Sequence, residues 1–343
     1  MKKLSMLILV LVFILTGCNS NEKTLKVFNW GVYIDETLIE EFEEEYGVRV
    51  VYDTFDSNES MYTKLMSGEV YDVLVPSDYM VQRLIDENLL QPLDKSVVNM
   101  ANVMPHVMNQ SFDPNNQYSA PYFWGNVGII YDTTQVDKAD LTGGDVLLNT
   151  KFKGNIYFYD SERDAFMVAL KALGYSANSK DDAELQAAFD WLTQLNSTMD
   201  PIYVTDDVID NMIAGNKALA IVYSGDAAYI LDENEDMGYF VPEQGTNVWV
   251  DSFVIPANAE NPEMANAWIE FMLSEDAQTR NTLEVGYTTV HQGVWEAMIA
   301  EDGDYAGNTA YEVRLANPND EIFMYDEVLK VKMADLWLKV KAQ

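Results

Sequence analysis

The chain has 343 residues, 48% of them hydrophobic and 22% charged, enough apolar side chain to build cores of ordinary density and to exclude a disordered or collagen-like protein. The length predicts about two domains. Against 21 Lys and Arg stand 56 Asp and Glu, a formal net charge of −35, and no basic cluster follows the N-terminus, so nucleic acid is excluded as a partner.

Lys2 and Lys3 precede an apolar run from Leu4 to Leu15, and the tetrad Leu15-Thr16-Gly17-Cys18 closes it. This order predicts a cleaved export signal over 1–17, too short to span a bilayer. The tetrad resembles the lipobox of bacterial lipoproteins. The resemblance implies lipidation of Cys18, a linker over 18–24, and an exported protein anchored to the cell membrane, on the extracellular face or in a periplasm. Cys18 is the single cysteine, so the fold has no disulfide framework.

The fold is predicted to begin at Leu25. Residues 25–30 have strand character, and 35–46 carry Leu38, Ile39, Phe42 and Tyr46 at helical spacing. Gly47 stops that helix before a strand over 48–52. The pattern repeats with a helix over 60–68, a strand over 71–75 ending at Pro76-Ser77-Asp78, and a helix over 80–87. Strands alternating with helices predict a mainly parallel sheet, whose ligands sit beyond the carboxyl ends of the strands. A second α/β region follows Tyr122 to Asn126, with strands over 156–159 and 218–223 and helices over 164–173 and 182–195. Residues 109–118 and 233–247 read as loops, 248–251 and 253–256 as extended, and 262–273 as a helix.

Catalytic signatures are scarce. His106 and His291 have no Cys or His partner at ligand spacing, which argues against a metal site, and no nucleophile elbow, phosphate loop or dinucleotide fingerprint is present. No cofactor is implied, and the chain does not read as an enzyme. Aromatics at strand ends are more informative. Trp30, Tyr33, Tyr79, Tyr223, Trp249 and Tyr287 fall at or just after such ends, near Asp78, Asp226 and Asp251. Aromatic faces attract ammonium groups and cover methylenes, while carboxylates accept charge-assisted hydrogen bonds, so the set suits an aliphatic amine. Another organic cation, a sugar or a metal chelate stays open on these residues alone. So do hydrolysis by two carboxylates and an adhesive role.

From Leu25 onward the chain resembles the spermidine/putrescine-binding proteins of ABC importers. The resemblance is carried in order by Asn29-Trp30-Gly31-Val32-Tyr33-Ile34, Asp72 to Tyr79, Pro121 to Gly125, Ala169 to Ser176, Trp249 to Ala259 and Gly286-Tyr287-Thr288-Thr289. It implies a two-lobed α/β protein of the type II periplasmic-binding-protein fold with a hinged inter-lobe cleft. Residues 25–125 and 251–295 would form lobe 1, and 126–250 with 296–343 lobe 2. The implied partners are a polyamine, putrescine or spermidine, and the permease subunits of an ABC transporter, with the protein a monomer. Carried over by position, Trp30, Tyr33, Ser77 and Tyr79 would line the cleft from lobe 1, with Trp249 and Tyr287 flanking Asp251, the ammonium ligand. Tyr223 stands where the family usually has Trp, Asp226 matches an acid of the putrescine-preferring members, and Asp164 stands where the family has Glu. Three positions depart from the pattern: Val32 and Ser161 replace acids, Asp160 and Glu162 flanking the latter, and no Gln matches near Phe323.

Overall fold

The computed structural model describes residues 23–343 apart from 206 and 316, so the export signal, Cys18 and the linker up to residue 22 lie outside the described residues. The first region contains β1 (Thr24–Trp30), α1 (Thr37–Tyr46), β2 (Arg49–Phe55), α2 (Asn58–Met66), β3 (Val73–Leu74), α3 (Asp78–Asp86) and β4 (Leu90–Gln91). A long strand β5 (Ser119–Asp132) leads into β6 (Ile156–Tyr159), α4 (Glu162–Ala172), α5 (Asp182–Gln194), β7 (Ile202–Val204), α6 (Val208–Ile213), β8 (Leu219–Tyr223), α7 (Ser224–Glu233) and β9 (Met237–Phe240). The chain returns through β10 (Val248–Pro256) to α8 (Pro262–Met272), α9 (Glu275–Val285), β11 (Thr288–Thr289), α10 (Gln292–Met298) and α11 (Glu327–Lys341).

Local chemistry explains the boundaries. In α1, Leu38 and Phe42 bury one helical face, and Gly47 at φ 61° takes the left-handed cap, its N–H donating to the Glu43 carbonyl. In α4 the Ser161 hydroxyl accepts from the Asp164 N–H, so the helix starts two residues before the predicted Asp164. The loop expected over 233–247 contains β9, which pairs with Ile129–Asp132 of β5.

The sheet runs β2-β1-β3-β10-β5-β8-β6-β7. It is mixed where the sequence predicts mainly parallel pairing. β1 with β2 and β3, and β6 with β7 and β8, are parallel, whereas β10 is antiparallel to β3 and β5, and β5 to β8. The cause is β5 itself: residues 119–126 pair with β10 and residues 127–131 with β8, so one strand serves both halves. Every residue of β5 is buried.

Three apolar cores flank this seam. The first draws on residues 25–124 and 249–290, with Val313. The second joins residues 127–221 to Phe323 and the α11 side chains Leu329, Met333, Trp337 and Val340, and the third joins residues 130–237 to residues 294–311. The molecule is therefore a two-lobed α/β protein with a cleft between its lobes. Tyr79 and Tyr223 pack against both the first and the second core.

Gly125 sits where β5 changes partners. A Cβ there would lie 2.4 Å from Ser224 Oγ and 2.5 Å from the Trp249 ring. Gly125→Ala is therefore expected to destabilise the protein by about 1–3 kcal/mol through overpacking, measured by urea unfolding against the unsubstituted chain.

Candidate functional site

Four carboxylates reach the inter-lobe region, three of them from the first turns of helices that follow strands. Asp78 is the first residue of α3, Asp164 lies in the first turn of α4 and Asp226 in the first turn of α7. The unpaired backbone N–H groups of a helix start favour negative charge there. Asp251 comes instead from the middle of β10. The pleat of that strand separates two spaces. Trp249 and Asp251 contact the aromatic side chains of the cleft, while Val248 and Val250 line a cavity of about 380 Å³ together with His106, Trp124 and Arg314.

Aromatic rings link these acids in sequence. Trp30 lies 6.5 Å from Tyr33 and Tyr33 5.6 Å from Tyr287; Tyr287 is then 5.2 Å from Trp249, which is 6.5 Å from Tyr223. Each of three tyrosine hydroxyls donates to one carboxylate: Tyr33 to Asp251 at 2.6 Å, Tyr223 to Asp164 at 2.9 Å and Tyr287 to Asp226 at 3.1 Å. The last bond joins the residue before β11 to the first turn of α7. Gly225 permits it, since a Cβ there would lie 1.2 Å from the Tyr287 ring.

Ser77 and Tyr79 complete the first-lobe wall. Asn58 donates its amide to both hydroxyls, at 3.1 and 3.0 Å, and an isolated β-bridge pairs Ser77 with Asp251. The Arg163 guanidinium of α4 lies 3.8 Å over the Tyr79 ring and 5.3 Å from Phe323. The ten residues expected to bind ligand are thus brought into one connected region. Val32 is not, being 85% exposed. Nor does Asp160 replace the acid missing at Ser161, because its carboxylate accepts from Trp337 Nε1 at 3.1 Å and from Lys341 at 2.6 Å.

Burial dominates the electrostatics. It pushes the Asp251 carboxyl up to about 6, although the Ser77 and Tyr33 hydroxyls pull the other way. Burial also raises Asp164, against the Ser161 and Tyr223 hydroxyls and Arg163. Tyr33 is pushed well up by burial and then by Asp251. Asp251 Oδ1 and the indole N–H groups of Trp30 and Trp249 are buried without a hydrogen-bond partner. An acceptor on a carboxylate beside aromatic faces suits a charged donor carried on an apolar chain. Among the described residues no group of His, Cys, Asp and Glu has the arrangement to hold a metal ion.

Sequence reasoning put Asp78 beside the aromatic strand ends but not among the ligand residues, and it omitted Asn58 and Arg163. Asp78 had a signal, its place between Ser77 and Tyr79. Asn58 and Arg163 had none, because their roles arise from contacts to residues about 20 and 84 positions away in the chain.

Removing the Tyr33 hydroxyl strips Asp251 of its hydrogen bond at Oδ2. Tyr33→Phe is expected to move the Asp251 titration midpoint above about 6. A carboxyl-carbon NMR titration of the folded variant checks this, and an unmoved midpoint contradicts it.

A family model described as bacterial extracellular solute-binding protein matches residues 37–307. The spermidine/putrescine-binding periplasmic protein of Escherichia coli K12 is 35% identical over 272 residues, 78% of each chain. The crystal structure of a spermidine/putrescine ABC transporter substrate-binding protein, PotD, from Streptococcus pneumoniae superposes with a TM-score of 0.83 at 38% identity, covering 94% of this chain and 99% of that one. The TpPotD lipoprotein of Treponema pallidum gives a TM-score of 0.80 at 26% identity, covering 94% of this chain and all of its own.

Proposed function

Since the chain belongs to the bacterial extracellular solute-binding proteins, and among them to the polyamine-binding group, we propose that it captures putrescine or spermidine in the inter-lobe cleft and delivers it to an ABC permease. Members of this family bind and hand over a solute; they are not enzymes. The observation that carries the amine assignment is Asp251, 6% exposed, with Oδ1 unpartnered beside Trp249 and Tyr287. An ammonium placed there gains a charge-assisted hydrogen bond and ring faces at once. Trp30, Tyr33, Ser77 and Tyr79 line the ligand from one lobe, and Asp164, Tyr223 and Asp226 from the other.

On this reading residues 25–125 with 251–295 move as one lobe and 126–250 with 296–343 as the other. The apolar cores follow that partition except at its edges, where Trp249, Val250 and Val313 pack in the first core and Val294 in the third. Ligand contacts completed only when both lobes meet shift the population toward the closed form. The Tyr287–Asp226 bond forms at the same meeting. Farther out, Lys330 pairs with Glu59 at 2.9 Å and the Tyr325 N–H donates to Gln82 at 2.8 Å. On this reading the protein acts as a monomer.

The family is extracytoplasmic. The sequence Leu15-Thr16-Gly17-Cys18 supports export with a lipid on Cys18, and the Treponema relative is itself described as a lipoprotein. Two or more acyl chains would hold the protein stably at the cell membrane. Cys18→Ala is expected to move it from the membrane fraction to the soluble one and to abolish incorporation of labelled fatty acid. Retention of the label would contradict the anchor.

Calorimetric titration with putrescine, spermidine, spermine and acetylated polyamines tests the amine assignment. Saturable binding is expected. Asp251→Ala should weaken it on the order of a hundredfold or more, because a buried ammonium loses its counter-ion. Trp249→Ala should cost roughly ten- to thirtyfold. The assignment fails if none of these amines gives saturable heat at micromolar concentration.

A further inference from the structure

Asp78 lies beside Asp251 and has no place in the ligand set above. It is 1% exposed. Its Oδ1 accepts from the Tyr79 N–H at 2.6 Å, and its Oδ2 from the N–H of Val250, the residue before Asp251, at 3.1 Å. The bridge between Ser77 and Asp251 lays the two segments side by side, one residue from Asp78. Two carboxyl groups therefore share one dry region, and the Oδ1 of Asp251 has no hydrogen bond. Two negative charges in such a pair are disfavoured, and a cation joining it relieves the repulsion.

We propose that Asp78 and Asp251 form a paired-carboxyl ammonium site that holds a proton when free and surrenders it to solvent as the ligand ammonium enters. This rests on the amine reading given above. The ligand keeps all its bonds: a carboxylic acid O–H loses its proton to the buffer, and the resulting carboxylate pairs with the incoming ammonium.

The surrounding groups fit this exchange. Tyr33, before α1, donates to Asp251, and Tyr287, before β11, adds a phenol whose own hydroxyl is committed to Asp226 of α7. From α2, Glu59 is paired with Lys330 and lies 3.4 Å from the Tyr79 hydroxyl. Arg163 of α4 is the permanent cation acting on Asp78, and it is seated on the Tyr79 ring. Burial pushes Asp78 up to about 8, against the two backbone N–H donors, with Asp251 adding to the rise and Arg163 opposing it. Both carboxyls thus stand above their ordinary range when free, and an ammonium lowers them. Protons are then released between the bound and free values, so affinity rises with pH up to about 8 and levels off above it.

The test is calorimetry of the folded protein with putrescine and spermidine at pH 7 in phosphate and in MOPS, buffers of different ionisation enthalpy that are not primary amines. The expected result is release of about one proton per ligand and a Kd falling roughly tenfold per pH unit near pH 7. Asp78→Asn should bring the release near zero and flatten the pH dependence; Asp78→Ser gives the same readout if the amide does not fold. Saturable binding with equal heats in both buffers overturns the proposal while leaving the amine assignment standing. Release that persists in a folded Asp78 variant also overturns it. Absence of saturable heat with any amine overturns both.

Discussion

A carboxylate withdrawn from water needs a partner, and the inter-lobe region is organised around that need. Asp251 has one oxygen held by the Tyr33 hydroxyl and the other unpartnered, between Trp249, Tyr287 and the start of α3. An isolated buried charge of this kind costs several kcal/mol, a cost that a proton or a neighbouring cation removes. Selectivity for protonated amines over neutral solutes follows from that cost. A sugar hydroxyl could donate to Oδ1 but would leave the charge uncompensated.

The fold delivers this group through the two strands that connect the lobes. In β10 the register shifts between Asp251 and Ser252, where Tyr122 of β5 is left outside the pairing and its hydroxyl donates to the Tyr33 carbonyl at 2.8 Å. The bulge fixes the backbone at the residue that bears the charge. Asp164 and Asp226 arrive on helix starts at the carboxyl ends of strands, held by tyrosine hydroxyls that also form the aromatic wall. Hydroxyl and ring thus act together, one orienting a carboxylate and the other covering methylenes. The excess of acidic over basic residues along the chain raises the concentration of cations around the protein.

Much of this was legible in the chain. Helices with an apolar face and a capping residue at one end, Gly47 for α1 and Asp181 for α5, lie within a residue or two of where periodicity puts them. The ten ligand residues came from a family resemblance, and the aromatic and acidic character of the site came from residue types at strand ends. β5 was legible only in part. Pro121, Gly125 and Gly128 interrupt it with residues that locally signal a turn or an edge. Their reason is tertiary: Gly125 lies against Trp249 and Ser224, and a Cβ at Gly128 would sit 2.4 Å from the Tyr239 ring. Likewise β9 is a strand because β5 offers it an edge.

By itself the sequence determined the alternating α/β pattern and the excess of acid, and it predicted an export signal, a lipidation tetrad and an amine-like ligand, because periodicity, short contiguous motifs and charge balance are properties of neighbouring residues. Only the tertiary structure decided which acids share a dry volume. Asp160 and Asp164 are four residues apart, yet one is bound by Trp337 and Lys341 at the C-terminal helix and the other by Tyr223 beside the cleft. Asp78 accepts from the N–H of Val250, 172 positions away, and its segment meets that of Asp251 because a strand bridge joins Ser77 to Asp251. Burial and hydrogen-bond partners set the charge state of a carboxyl, and both are fixed by residues far away along the chain.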